Sequence, residues 1–274
     1  MLMKADNHIL HLPKETNMER ILERRSSGIN GNTLRMWGLL FVVLGAVGHG
    51  ILQLRILGMG ALEGTSLMAV LESDPDMMMV ATMAIVLQAL ETCAVPIFAF
   101  LLVEGMLHTT NVNQYLIRIL GTAALAELPY NLVMSGKLLD FSSRNPTFGL
   151  VIGLIAMWLY ARYPGNEIKM LAIKGAVTLC AAIWCNMLSI RYGVMTCFLA
   201  AVLWAFRSKP NYRNMAGAAA TILCSLNNLF FMAAPMGFLA VFLYNGEQGD
   251  ANRKVNYLVY PAILLAVAVV GMFL

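Results

Sequence analysis

Long apolar runs alternate with short polar connections from Leu34 to the C-terminus. The hydrocarbon core of a bilayer takes about 20 apolar residues of helix, within a range near 17–25. On that measure the pattern predicts helices at Leu34–Leu57, Met77–Leu107, Gln114–Met134, Pro146–Tyr163, Ile168–Met187, Tyr192–Phe206, Met215–Met232, Pro235–Tyr244 and Tyr257–Phe273. The second run is long and contains Pro96, which lacks an N–H and should kink or split it. The sixth and eighth are short for a crossing. The expectation is an all-α polytopic transmembrane bundle of about nine spans, with a range of eight to ten.

Composition agrees. Of the 274 residues, 59% are hydrophobic and 12% charged, whereas soluble domains carry about 25% charged residues. Residues 1–33 are the polar exception and read as a cytoplasmic tail, with Asn17–Arg25 a candidate surface helix and Ser26–Asn32 a linker. No apolar stretch follows the early basic residues, so a cleavable signal peptide is not expected. Residues 34–274 form the membrane domain. If the N-terminus is cytoplasmic, fifteen of the 19 Lys and Arg fall on the inner side, leaving Arg55, Lys137, Arg144 and Arg191 outside. That asymmetry favours a cytoplasmic N-terminus.

Several chemistries have no support. The five cysteines lie inside apolar runs without a C-x-x-C pair, as small buried hydrophobes do. His8 and His11 have no companion ligands, so no metal is expected. Phosphate-loop, dinucleotide and nucleophile-elbow motifs are missing from the sequence, and no basic stripe on a polar domain points to nucleic acid.

The candidate chemistry lies in the ionisable groups within apolar runs, which cost about 2.5–3.5 kcal/mol each on insertion scales. The hairpin from Pro96 to Leu132 carries Glu104, His108, Arg118, Glu127 and Asn131, with Glu91 just upstream. Glu104 and His108 are four apart on one helix face. They form either a carboxylate–imidazole general base or an interfacial ion pair. Arg118 either binds a phosphate or carboxylate or snorkels to headgroups. Glu127 and Asn131 share a face, as catalytic groups or as a polar clamp, and Glu127 needs a partner among His49, Arg144 and Arg191. His49 sits among Gly45, Gly48 and Gly50, either as a deep base or as an interhelical hydrogen-bonding group. Arg144 and Asn145 mark the mouth of the fourth span. Asn245 and Glu247 lie in a glycine-rich turn suited to an anion or to a plain surface bend. Asn227 and Asn228 read as mid-span residues that bond neighbouring helices.

Taken in order, PIFAFLLVEG, HTTNVNQYLIR, AELPYNL, RNPTFGLVIGL, MLSIRYGVMTC and LYNGEQGDANRKVNYLVYPAILL resemble the TraX family of bacterial inner-membrane proteins, over about Leu34 to the C-terminus. The family's namesake is linked to N-terminal acetylation of conjugative pilin, and its fold is similar to integral-membrane acyltransferases. The resemblance therefore implies a multi-pass protein of the bacterial cytoplasmic membrane that moves an acetyl group from acetyl-CoA to an amine or hydroxyl. The acceptor would be a peptide N-terminus, a glycan or a lipid. In the implied mechanism His49 is the base, with Glu127 or Glu91 orienting it and Asn131 or Tyr130 donating to the oxyanion. Glu104 and His108 serve the inner side. Arg118, with Arg253 or Lys254, holds the CoA phosphates. The chain departs from the family at three places. Gly48 stands where an aspartate precedes the histidine, Arg191 stands for the aspartate before Tyr-Gly, and Ile263 stands for a histidine. Read without the resemblance, the same residues also fit a proton-coupled transporter or a non-catalytic membrane scaffold.

Overall fold

The computed structural model describes residues 28–58, 74–165, 167–249 and 253–274. Among these residues the regular structure is helical, apart from two isolated parallel bridges. We label the helices α1 (Gly31–Val47, continued by a π-helix Gly48–Ile56), α2 (Pro75–Glu91), α3 (Ala94–His108), α4 (Val112–Ser135), α5 (Thr147–Arg162), α6 (Ile168–Met187), α7 (Gly193–Ala205), α8 (Pro210–Asn227), α9 (Gly237–Phe242, preceded by a 3-10 helix Leu229–Met236) and α10 (Arg253–Met272).

Local sequence explains the ends. Asn30 caps α1 by accepting the Thr33 N–H at 2.8 Å, and Asn111 caps α4 by accepting the Gln114 N–H at 3.0 Å. Asp74 accepts the Asp76 N–H at 2.9 Å, with Pro75 in the first turn of α2. Asn228 does not bridge helices in mid-span. It closes α8, and its side chain accepts the Phe230 N–H. The side chains of Asn227, Arg253 and Lys254, and residues 1–27 with His8 and His11, lie outside the described part.

Pro96 breaks the long second segment as expected. It cannot bond to the carbonyl of Thr92, which instead accepts the Val95 N–H at 3.1 Å. Thr92 and Cys93 form the turn between α2 and α3. Glu91 is therefore the last residue of a helix that stops inside the bundle.

Among the described residues four helical stretches are long and apolar enough to cross a membrane: Gly31–Ile56, Pro75–His108, Val112–Ser135 and Ile168–Met187. Four shorter apolar helices lie at Thr147–Arg162, Gly193–Ala205, Phe230–Phe242 and Asn256–Met272. The core is built on Phe100, Leu154, Met157, Leu199, Leu203 and Phe238, all essentially buried. Outward-facing positions are apolar too: Ile168 is 88% exposed and Leu226 80%. Apolar on both faces is the arrangement of a helix whose outer solvent is lipid.

Packing of α1 sets the geometry of the site. A Cβ on Gly38 would meet Phe98, one on Gly45 would collide with Glu91, and one on Gly48 would lie 3.1 Å from the Ala84 carbonyl. The α2–α3 segment thus runs antiparallel to α1. It brings Glu91 beside the π-helix and Glu104 beside the start of α1. At that end, residues 243–249 pair with residues 28–32: Ile29 N–H bonds the Leu243 carbonyl at 2.8 Å, and Gly31 N–H bonds that of Glu247 at 2.8 Å.

Candidate active site

A cavity of about 570 Å³ opens among α1, α3, α4, α7 and α10. One end is lined by Arg35, Glu104, His108, Arg118 and Tyr257, and the other by His49, Glu91, Tyr130, Tyr192 and Tyr260. Arg35 and His49 are fourteen positions apart on one helix, roughly 20 Å of rise. The cavity therefore extends along most of α1 and into its π-helical continuation.

His49 is carried by the π-helix, a widened coil that is rare and frequently found at functional sites. Its Nδ1–H donates to Gln53 Oε1 at 3.0 Å, and Gln53 Oε1 also accepts Gln88 Nε2 at 2.6 Å. Its Nε2 accepts Arg191 Nη2 at 2.5 Å. These two bonds fix the Nδ1–H tautomer and occupy the Nε2 lone pair. Arg191 Nη2 also lies 2.9 Å from the Tyr192 hydroxyl and 3.2 Å from Glu91 Oε2. Glu91 Oε2 is 3.5 Å from His49 Nε2. The carboxylate, the imidazole and the guanidinium thus form one buried cluster, with side-chain exposures of 13%, 11% and 18%.

Glycine makes the room for it. The notch at Gly45 receives the Glu91 side chain, and no β-carbon fits there. Gly48 packs against α2, so an aspartate before His49 has no space. Glu91, 42 positions further on, supplies the carboxylate that the immediate sequence lacks.

Arg191 comes from the short connection between α6 and α7. Ser189 and Tyr192 flank it with φ of 52° and 57°, a left-handed conformation uncommon outside glycine. Backbone bonds hold it there: Arg144 N–H to the Ser189 carbonyl at 2.9 Å, and Arg191 N–H to the Arg144 carbonyl at 3.0 Å.

Glu127 sits elsewhere. It accepts Arg144 Nη1 at 3.2 Å, Asn145 N–H at 3.3 Å and Asn145 Nδ2 at 2.6 Å. Asn145 is fully buried, and its Nδ2 also donates to the Ala123 carbonyl at 2.9 Å. Glu127, Arg144 and Asn145 are therefore a clamp between α4 and the start of α5, and none of them lines the cavity. Asn131 is buried, with Nδ2 donating to the Leu138 carbonyl at 3.3 Å, and it too stays outside the lining. Its neighbour Tyr130 faces the cavity and bonds Ser143 Oγ at 3.0 Å.

At the other end, His108 Nδ1 lies 3.6 Å from Glu104 Oε2 and 2.9 Å from the Glu104 carbonyl oxygen. The stronger partner of Glu104 is Arg213, at 2.5 Å, buried on the face of Phe100 with 4.6 Å to the ring centroid. The sequence placed Arg213 among the inner-side charges; the structure places it in α8, only 6% exposed. Arg35 and Arg118 line the mouth with no ion-pair partner among the described residues. Asn245 Oδ1 accepts the Glu247 N–H at 2.9 Å. These two residues shape the turn, while Gly246, Gln248 and Gly249 reach the cavity.

Arg35 and Arg213 entered the pattern reading only as inner-side charges, and Arg191 only as a possible partner of Glu127. The signal for all three is an arginine inside or between apolar segments without a local carboxylate. The cysteines are unpaired: Cys93, Cys185 and Cys197 are buried, Cys180 is exposed and Cys224 lies between. Among the described residues no group of three or more His, Cys, Asp or Glu side chains is arranged to hold a metal.

No curated protein and no solved structure matches the chain. The family described as TraX protein matches residues 67–271, all of the bundle from before α2 to the end of α10 but not the helix that carries His49. That match covers most of the sequence, and the chain belongs to the TraX family.

Proposed function

We propose that this protein is an integral-membrane acyltransferase that moves an acetyl group from acetyl-CoA to an acceptor bound in the bundle. The observation that carries the reading is the cavity. It joins a mouth with two arginines that have no ion-pair partner among the described residues to a buried His49–Glu91–Arg191 cluster. In this reading the protein crosses the bacterial cytoplasmic membrane nine times, with the N-terminus and the mouth in the cytoplasm. The charge asymmetry of the connections supports that orientation.

Arg35 and Arg118 receive the phosphates of CoA, and His108 adds a donor at the rim. The acyl arm extends inward along α1. His49 takes the acceptor's proton at Nε2, and Glu91 at 3.5 Å stabilises the imidazolium that results. Arg191 must first release Nε2, so the observed state is a resting one. Tyr130 and Arg191, at the His49 end, donate to the developing oxyanion in this mechanism. Glu127, Asn131, Arg144 and Asn145 are positioning residues. They hold the α4–α5 connection, whose Arg144 backbone pairs with Ser189 and Arg191.

A proton-coupled transporter would draw on the same acids. Three of them, Glu91, Glu104 and Glu127, are each paired with an arginine, which makes a carboxylate relay the weaker reading. Purified protein given labelled acetyl-CoA tests the proposal. Transfer that survives in both His49→Ala and His108→Ala would exclude histidine base catalysis.

A further inference from the structure

The charge and aromatic content of the cavity narrow the acceptor. Six of the nine tyrosines in the sequence line it: Tyr115, Tyr130, Tyr192, Tyr244, Tyr257 and Tyr260. All are buried or half-buried. The hydroxyls of Tyr115 and Tyr257 make no hydrogen bond among the described residues, so donor and acceptor capacity is left over along the wall.

The lining carries two carboxylates, Glu91 and Glu104. Arg191 neutralises the first and Arg213 the second. Arg35 and Arg118 add positive charge at the mouth. Among the described residues no unpaired carboxylate is left in the lining to receive an ammonium group. A protonated amine would sit beside Arg191 as a second, uncompensated cation in a poorly solvated chamber, which is costly. A neutral hydroxylated molecule meets no such penalty. Its hydroxyls exchange hydrogen bonds with tyrosine O–H groups, and its C–H faces lie against the rings.

We infer that the acceptor is a neutral polyol, a sugar or glycan hydroxyl, and not a peptide amine. The inference rests on the acyl-transfer reading above. The acceptor oxygen attacks the thioester carbonyl carbon and a C–O bond forms. The C–S bond breaks, and the acceptor's proton passes through His49 to the departing thiolate, giving an ester and free CoA thiol.

The test uses the full chain in nanodiscs with radiolabelled acetyl-CoA. A set of neutral hexose oligosaccharides competes with a short peptide bearing a free N-terminus. The expected result is label on carbohydrate that alkaline hydroxylamine releases, as it does an oxygen ester but not an amide. In Tyr260→Phe, at the His49 end of the lining, the acceptor KM should rise about tenfold, the effect of one lost buried hydrogen bond, with the acetyl-CoA KM unchanged. Hydroxylamine-resistant label on the peptide would overturn the acceptor class and leave the acyl-transfer reading standing. Failure to consume acetyl-CoA with any acceptor would overturn both.

Discussion

Glu91 and Glu127 are the same residue type, both within helical stretches long and apolar enough to cross a membrane, both about 13–14% exposed and both 3.2 Å from an arginine. They have opposite structural characters. Glu127 accepts three hydrogen bonds from one connection, two of them from Asn145, and faces no cavity. Glu91 ends a broken helix and shares its arginine with an imidazole that lines the cavity. A buried carboxylate saturated by backbone and amide donors is a fastener. One whose partner is also held by a histidine has a competing arrangement close by, and that is where proton chemistry belongs.

The largest effect that separates the two regions should come from His49→Ala. Loss of a general base costs about 10²–10⁴ in rate. Acetyl transfer should fall by that amount while the melting temperature of the detergent-solubilised protein moves little. The reverse profile is expected of Glu127→Ala. It strands the Asn145 amide and backbone N–H, at about 1–3 kcal/mol for each buried group left unpaired. Thermal unfolding should therefore drop by several degrees, with activity reduced only as far as the Arg191 connection loosens.

Gly45→Ala sharpens the comparison without touching a charged group. The new methyl collides with Glu91 and drives it from His49. Overpacking of this kind costs about 1–3 kcal/mol. Turnover should fall at least about tenfold, the rate equivalent of 1.4 kcal/mol, and an alanine in the exposed stretch of α6 at Gly175, where nothing crowds the position, serves as the silent control. The smallest effect is expected at the mouth. Arg35→Gln or Arg118→Gln should raise the acetyl-CoA KM by about tenfold, one charge-assisted contact each, with kcat retained.

Much of this architecture was legible in the chain. Apolar run length located the helices, and Pro96 located the break. The glycines around His49 marked a close approach, and the four-residue spacing of Glu104 and His108 gave a true neighbour pair. The starts of helices were harder to read. Residues 210–214 are polar, so hydropathy began α8 at Met215, whereas Pro210 in the first turn begins it physically. Long-range partners were not legible. Glu91 and Glu127 were equivalent candidates to orient His49 until the antiparallel packing of α1 on α2 chose Glu91. Arg213 lies 109 positions from Glu104, and no local rule links them. Arg144 and Asn145 looked like ligand groups because polarity does not reveal which way a side chain faces.

The most direct measurement compares Glu91→Gln with Glu127→Gln in single-turnover acetyl transfer from labelled acetyl-CoA, each scored against its own folded fraction. The account predicts that Glu91→Gln loses the chemical step while folded Glu127→Gln retains most of it. Equal rates in the two variants, or a wild-type chain that transfers no acetyl group, would contradict it.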